Sequence, residues 1–530
     1  MRVLIFHGYL LRGTGSNIYN ASLARALAVL GHEVHLLCQE RHARELELPA
    51  GVHVHNPDIG RTLPVYVADT YDGFDAVPFS ELSDAAIERY VEANVTAVRK
   101  VAEQVAPELA LANHLVMGPA ILARALGGRV PYAVKVHGSA LEYTVRPDPA
   151  RFLPYAREGL RGASGVLVGS LHTAQSLWEV VGEPGLRART RLGPPGVDVH
   201  AFRALSAAEA TESLAGLADR LEATATAAWG GEAGAPDSLR ALDPARDRIV
   251  SYVGKLIVSK GVDLLLAAWP LVVARVPEAR LCVVGFGTYR EALARILAAL
   301  AAGDLTGLGE IASRGRELER QDGRELEGGA AAGARGELTY LASFLDGLEG
   351  RRREEYLAAA PAAAARVVFT GRLEHSDLPA LLPACEAQVV PSTFPEAFGM
   401  VAAEAAVCGV VPLSASHSGL AEVTATLEQA LDPDLRPLLS FGLGPGAVEE
   451  IAAKLVRWLG LGRPARERAS AALAALARRR YGWEGVAEGV IAAALGRLDE
   501  LPVPGVPERD AGGGRCGSAT ATSPARSTRR

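Results

Sequence analysis

The chain has 530 residues, 49% hydrophobic and 22% charged, a length and balance that favour two or more globular domains over one. A formal net charge of −6 provides no basic field for nucleic acid, so no such partner is expected. Five scattered cysteines (Cys38, Cys282, Cys385, Cys408 and Cys516) form no C-x-x-C pair, which argues against a cysteine metal site and a disulfide framework.

The opening "MRVLIFHGYL" holds too short an apolar run for a signal peptide and reads as a first buried strand. No uninterrupted apolar run of about 20 residues follows, so no membrane span is expected. The expected place is the cytoplasm, with peripheral membrane contact left open. "RVLIF", the loop "HGYLLRGTGSN", the helix "IYNASLARALAVLG" and the strand "HEVHLLC" make a βαβ unit and imply a parallel sheet. Further strands are predicted at "LALANH", "YAVKVHG" and "GVLVGS", and prolines and glycines break the pattern near "RLGPPGVDVHAF".

Residues 204–245, rich in Ala, Glu and Ser, read as a helical excursion and linker. The βα rhythm then restarts with "RIVSYVG", "GVDLLLAAWPLVVARVP", "ARLCVVG" and "YREALARILAALAAG", and later "RVVFTG", "AQVVPS" and "GVVPLS". Two such series predict an α/β protein of two Rossmann-like βαβ domains facing a central cleft. The expected boundaries are 1–203 and 246–485. A polar, Gly-interrupted insertion is read at 303–360, a C-terminal helix at 486–502, and a tail of disordered composition at 503–530.

Several residues along this path could carry chemistry. Gly13 and Gly15 in "RGTGSN" allow close backbone approach, and the next helix N-terminus favours an anion; a tight strand-to-helix turn explains them equally well. Lys255 and Lys260 in "VGKLIVSKG" follow a strand at the end where α/β sheets bind ligands. Two ammonium groups there suit a diphosphate, against the alternative of ordinary solvated lysines. Gly285 and Gly287 in "VVGFG" fit either a nucleotide approach or a structural turn. His137 in "VKVHGS" ends a predicted strand and alone reads as structural more readily than catalytic.

"STFPEAFGMVAAEAAVCGVVP" sets Glu396 and Glu404 eight positions apart, about 80° around a continuous helix. Pro395 moves Glu396 into the preceding loop, with the helix starting near Gly399 and Glu404 inside it. The alternatives are a solvated helix face and two carboxylates holding one ligand whose phosphate meets the helix N-terminus. "DPD" at Asp432–Asp434 lies in a Pro-rich loop outside this region and is discounted as a metal motif.

Taken together, "GKLIVSKG", "VVGFG", "PPGVDV" and the stretch from "FTGRLEHSDL" to "SHSGLAEV" resemble the retaining glycosyltransferases of family 4, which have the GT-B fold. The resemblance implies an acceptor-side N-terminal domain and a C-terminal domain for a nucleotide-sugar donor. It implies that Lys255 and Lys260 face the donor diphosphate, Glu396 the sugar, and Glu404 the ribose hydroxyls. Phe398, Gly399, Met400 and Val401 would offer backbone groups to sugar and phosphate, and Arg372 and Leu373 would meet the nucleobase. His137 would lie near the reacting carbon, and the Gly13–Gly15 loop would close over the phosphates. Gly285 and Gly287 would belong to the same nucleotide site.

The implied reaction is retaining, metal-independent hexosyl transfer from a UDP-glucose-like or GDP-mannose-like donor, with no resident cofactor. The acceptor stays open among small molecules, glycans and lipid-linked groups. Two departures stand out: Lys255 where the family commonly has Arg, and Gly-Thr-Gly in place of paired glycines. The rival readings are a nucleotide-sugar epimerase or hydrolase, and a non-catalytic nucleotide-sugar-binding module.

Overall fold

The computed structural model describes residues 1–46, 48–66, 73–223, 230–319 and 336–505. Seven parallel strands build the first sheet: β1 (Arg2–Phe6), β2 (Glu33–Leu37), β3 (Val52–His55), β4 (Leu109–Asn113), β5 (Tyr132–Val136), β6 (Gly165–Val168) and β7 (Thr190–Leu192). Their spatial order is β3-β2-β1-β4-β5-β6-β7. Val3, Leu4 and Ile5 are fully buried, as expected for a strand covered on both faces by helices. Thr62–Val65 and Asp75–Pro78 form a separate two-stranded sheet beside this domain.

The second sheet repeats the logic with six strands: β8 (Arg248–Val253), β9 (Ala279–Val284), β10 (Val367–Gly371), β11 (Ala387–Val390), β12 (Val411–Ala415) and β13 (Ser440–Phe441). Their order is β10-β9-β8-β11-β12-β13. Each sheet therefore reverses direction beside its first strand, at β1/β4 and at β8/β11. Ligands bind such sheets outside the carboxyl ends of the strands at that reversal. Two such sheets, each covered by helices, make the GT-B arrangement.

The chain passes between the domains near Val197 and again near Tyr481, and the two crossings lie side by side: the Val197 N–H donates to the Tyr481 carbonyl at 2.6 Å. After the second crossing, the helix Trp483–Ala494 returns to the first sheet. There Ala487, Val490 and Ile491 share a core with Val3, Ile5, Leu23 and Leu27. The helix stops short of the expected 486–502 because Gly496 takes a left-handed φ of 74°. No helix among the described residues is long and apolar enough to cross a membrane.

The stretch 303–360 is not a detachable polar insertion. Leu308, Leu341, Phe344 and Tyr356 are buried in the core of the second domain. The helix Gly350–Ala364 packs on the helix Val262–Val273, and the Tyr356 hydroxyl donates to the Ala267 carbonyl at 3.0 Å. Its charged run, Arg351–Glu355, is the exposed N-terminal end of a helix that packs from Tyr356 onward. A side chain on Gly315 would strike the Gly336 carbonyl at 1.9 Å, so the chain leaves and returns at one point around 316–335. Residues 320–335 of this stretch lie outside the described residues, as do 506–530 of the expected tail.

Residues 204–245 also belong to the second domain where described. Leu214 and Leu217 of the helix Ala207–Ala223 are buried in its core, and Gly231 bridges to Gly371 at the end of β10.

Candidate active site

The loops that leave the two sheet reversals face one another. Those after β1 and β4 bring Gly13, Gly15 and His114, and the loop after β5 brings His137. Those after β8 and β11 bring Lys255, Lys260 and Glu396. All line one cavity of about 510 Å³ between the domains, together with Phe398, Gly399, Met400 and Val401.

Two helix N-termini meet across this cavity. The helix Gly15–Val29 starts on it without a side-chain cap, and so does the helix Met400–Val407. A methyl group on Gly15 would lie 3.9 Å from the Met400 sulfur, which shows how closely they approach. First-turn amides have no intrahelical acceptor, so each end presents partial positive charge to the cavity. Gly399 adopts φ 127°, and a side chain there would collide with Leu420 at 2.6 Å, so glycine is required at the start of that helix.

Glu396 sits where that charge gathers. Its carboxylate contacts the Lys260 ammonium and accepts from the Ser392 hydroxyl at 2.7 Å. Its backbone N–H donates to Ser418 Oγ at 2.9 Å. Burial pushes the Glu396 carboxyl up, but Lys260, Ser392 and His417 outweigh it and hold it below the ordinary carboxylate value. Glu396 is therefore an anion in a cationic cavity. Tyr252 donates its hydroxyl to the Lys255 carbonyl at 2.8 Å, which fixes the turn that carries this lysine.

His137 is placed by a buried chain of amides. Its Nε2 lies 2.8 Å from Asn113 Oδ1. The Asn113 amide donates to Asn20 Oδ1 at 2.7 Å, and the Asn20 amide contacts His7 Nδ1 at 3.0 Å. Amide nitrogens only donate, so the direction of the chain is set throughout. It ends with a proton on His137 Nε2 and an acceptor lone pair on Nδ1. Burial first, then His114, Lys135 and His7, lower the His137 pKa well below its ordinary value, so the ring is neutral.

Five expected residues stand off the cavity wall. Gly285 and Gly287 pack behind the lysine loop: side chains there would meet the Gly254 carbonyl at 1.8 Å and the Leu256 carbonyl at 2.3 Å. They let two loops touch and thereby place Lys255. Arg372 pairs with Glu374 at 2.8 Å, and its backbone N–H donates to the Gly230 carbonyl at 2.8 Å. The chain's own segment from Gly230 thus lies against Gly371, Arg372 and Phe286, while Leu373 is buried nearby. Glu404 is 2% exposed and lies 2.8 Å from His375 Nε2.

Sequence reasoning assigned no role to His114, Tyr9, Tyr66, Ser392, His417 or Ser418. His417 Nε2 lies 2.7 Å from the Ser392 carbonyl, and its Nδ1 lies 3.1 Å from Ser418 Oγ, so this pair braces the Glu396 loop. The signal was present in "SASHSG", a polar cluster directly after a buried strand. Among the described residues, no three His, Cys, Asp or Glu side chains gather into a metal cluster.

The sequence model described as "Glycosyl transferase 4-like domain" matches residues 14–196, and that of "Glycosyl transferases group 1" matches residues 341–434. No curated protein matches by sequence. Among solved structures, the chain is similar to sucrose-phosphate synthase of Thermosynechococcus elongatus. Identity is 18%, coverage 94% of this chain and 98% of that one, and the TM-score 0.52. It is similar to the Anabaena protein HepE in complex with UDP and glucose, at 18% identity, 94% and 100% coverage and a TM-score of 0.55. A glycosyltransferase from Rickettsia africae follows at 13% identity, 93% and 97% coverage and a TM-score of 0.54. At these identities the likeness shows the GT-B fold alone. The two sequence matches fall on opposite sides of the cleft, and on them the chain belongs to the group 1, family 4-type glycosyltransferases.

Proposed function

We propose that this glycosyltransferase is a retaining, metal-independent enzyme that moves a hexosyl group from a nucleotide sugar to a hydroxyl acceptor. The observation that carries the reading is the Lys260–Glu396 contact held in a cavity between two uncapped helix N-termini. Lys255, Lys260 and the two helix ends would bind the donor diphosphate and stabilise the charge that grows on it as it departs. The Glu396 carboxylate would offset the positive charge developing at the sugar carbon. The bond from that carbon to the phosphate oxygen breaks, and the acceptor oxygen bonds to the same face. The acceptor proton passes to the departing phosphate, so no protein base is required. His137 Nδ1 would orient the sugar by accepting from one of its hydroxyl groups. No resident cofactor takes part; the nucleotide sugar is a co-substrate.

HepE has been crystallised with UDP-glucose, which puts UDP-glucose first in a donor panel and GDP-mannose second. The test is transfer to a panel of hydroxyl acceptors, with the product's anomeric configuration read by NMR and the rate repeated in excess chelator. Retained configuration and an unchanged rate are expected. Inversion, a rate restored only by magnesium or manganese, or hydrolysis and epimerisation without transfer would overturn the proposal. Lys260→Ala should lower kcat by about 10²–10³, the scale of losing one group that stabilises developing negative charge.

A further inference from the structure

The loop that carries both lysines is held from three directions. Behind it, the Leu256 N–H donates to the Phe286 carbonyl at 2.8 Å, and the Tyr289 N–H donates to the Leu256 carbonyl at 3.0 Å. On the Glu396 side, the Ser259 carbonyl accepts from the Thr393 N–H at 2.9 Å and from the Ser392 hydroxyl at 3.2 Å. Between these anchors lies the 3₁₀ turn Val258–Lys260. Its capping position is Ile257, whose side chain has no acceptor. The Val258 N–H, the first of the turn, is met instead by the Glu319 carboxylate, 61 positions further along the chain.

Glu319 lies outside the cavity lining and is delivered on fixed supports. Leu318 packs against the core of the second domain, and on the returning side the Leu338 N–H donates to the Ala312 carbonyl at 2.8 Å. The close contact of Gly315 with Gly336 shuts the excursion at its base. A carboxylate makes a charge-assisted bond to a peptide N–H, stronger than a neutral oxygen would make. Its negative charge opposes the role of a loop proposed to grip an anion. The directed hydrogen bond, not the charge, is therefore what Glu319 contributes.

We propose that Glu319 is a positioning residue for donor binding: it caps the turn that presents Lys260 and so fixes that ammonium toward the diphosphate. The inference rests on the reading of Lys260 as a diphosphate contact, and it extends that machinery to a residue of the 303–360 stretch outside the cleft. A lysine head group rides on a flexible four-carbon stem, so it is held only as well as the backbone beneath it. Without the cap the turn frays, Lys260 spreads over more positions, and binding has to order it again.

The test uses the full chain and calorimetry with UDP, or with GDP if that binds the wild type more tightly. Glu319→Ala should weaken the nucleoside diphosphate roughly tenfold, the loss of one hydrogen bond to a charged group. Glu319→Gln keeps an acceptor oxygen and should return affinity to within about threefold of wild type. Glu317→Ala, at an exposed position two residues earlier, should bind as wild type does. In a Lys260→Ala background, adding Glu319→Ala should weaken binding less than about twofold further, because the residue it positions is already gone. The proposal is overturned by unchanged affinity in Glu319→Ala, by failure of Glu319→Gln to recover affinity, or by additive losses in the double variant. Unchanged affinity in Lys260→Ala alone, or a wild type that binds neither UDP nor GDP, would instead remove the reading of the lysine, and the inference with it.

Discussion

His375 Nε2 and a carboxylate oxygen of Glu404 lie 2.8 Å apart, so the second glutamate of the pair is an ion-pair partner rather than part of a solvated helix face. Burial alone would lower the His375 pKa, but Glu404 and then Asp198 reverse the shift and raise it above 6.5. A pKa raised on folding stabilises fully below the unfolded value and is lost as pH climbs through the folded one. Thermal unfolding of the wild type should therefore weaken from about pH 6.5 upward, and His375→Gln should flatten that part of the curve. Parallel curves for the two proteins would contradict the pairing.

The two glutamates should separate by role. The family resemblance sets Glu404 against the ribose, although it stands off the cavity wall against His375 in this structure. On that resemblance Glu404→Ala should lower nucleoside diphosphate affinity roughly 10- to 150-fold. Unchanged affinity would leave Glu404 a structural partner of His375 alone. The substitution also strands His375, so Glu404 and His375 should couple in a double-mutant cycle by about 0.5–3 kcal/mol of stability. Glu396→Gln should instead lower turnover far more than it weakens the free nucleotide, because positive charge at the sugar develops only during transfer. Calorimetry and a transfer assay on both variants decide this, and identical behaviour would refute separate roles.

Glu422 latches the domains. Its carboxylate accepts from the Leu171 and His172 backbone N–H groups at 2.6 and 2.9 Å, capping a helix of the opposite domain. Glu422→Ala should remove about 0.5–2 kcal/mol of capping and open the cleft. Small-angle scattering should show a larger radius for the free variant that UDP reverses. An unchanged radius would mean that the surrounding contacts alone hold the domains together.

Deletions across 303–360 should divide sharply. Excising 303–360 whole removes Phe344 and Tyr356 from the core, and the protein should become insoluble. Replacing only 320–335 by a short linker keeps the Gly315–Gly336 closure and the Glu319 carboxylate that accepts from the Val258 N–H, in the loop carrying both lysines. That variant should stay folded and bind UDP within a few-fold of wild type. A stable protein lacking 303–360 would show that these helices are dispensable.

What was legible in the sequence were contiguous apolar strands: "RVLIF", "LALAN" and "RLCVV" have no other plausible home than a covered parallel sheet. β3 was missed because "VHVH" is a half-exposed edge strand whose histidines mask its period. The helix Gly350–Ala364 was misjudged because its exposed first turns carry the whole charge run, while Tyr356, Ala360 and Ala363 make its buried stripe. His137 and His114 both end strands of the same sheet, and only one drew attention. Their difference is a backbone angle, left-handed at His114 with φ 68°, and two ring nitrogens there that meet no hydrogen-bond partner; neither is written in a string of letters.

The returning helix Trp483–Ala494 imposes an order on synthesis. The part of the first sheet that carries Leu109, Leu111, Ala133 and Leu167 lacks this covering helix until residue 494 has been made, 302 positions after Leu192 ends β7. At about 5–20 residues per second, that apolar face waits roughly 15–60 s on the ribosome while the whole second domain is translated. The first domain thus cannot finish folding as an independent unit during its own synthesis. Its nascent form is a natural client for a holdase, and the last step in its folding is also the step that joins the two domains.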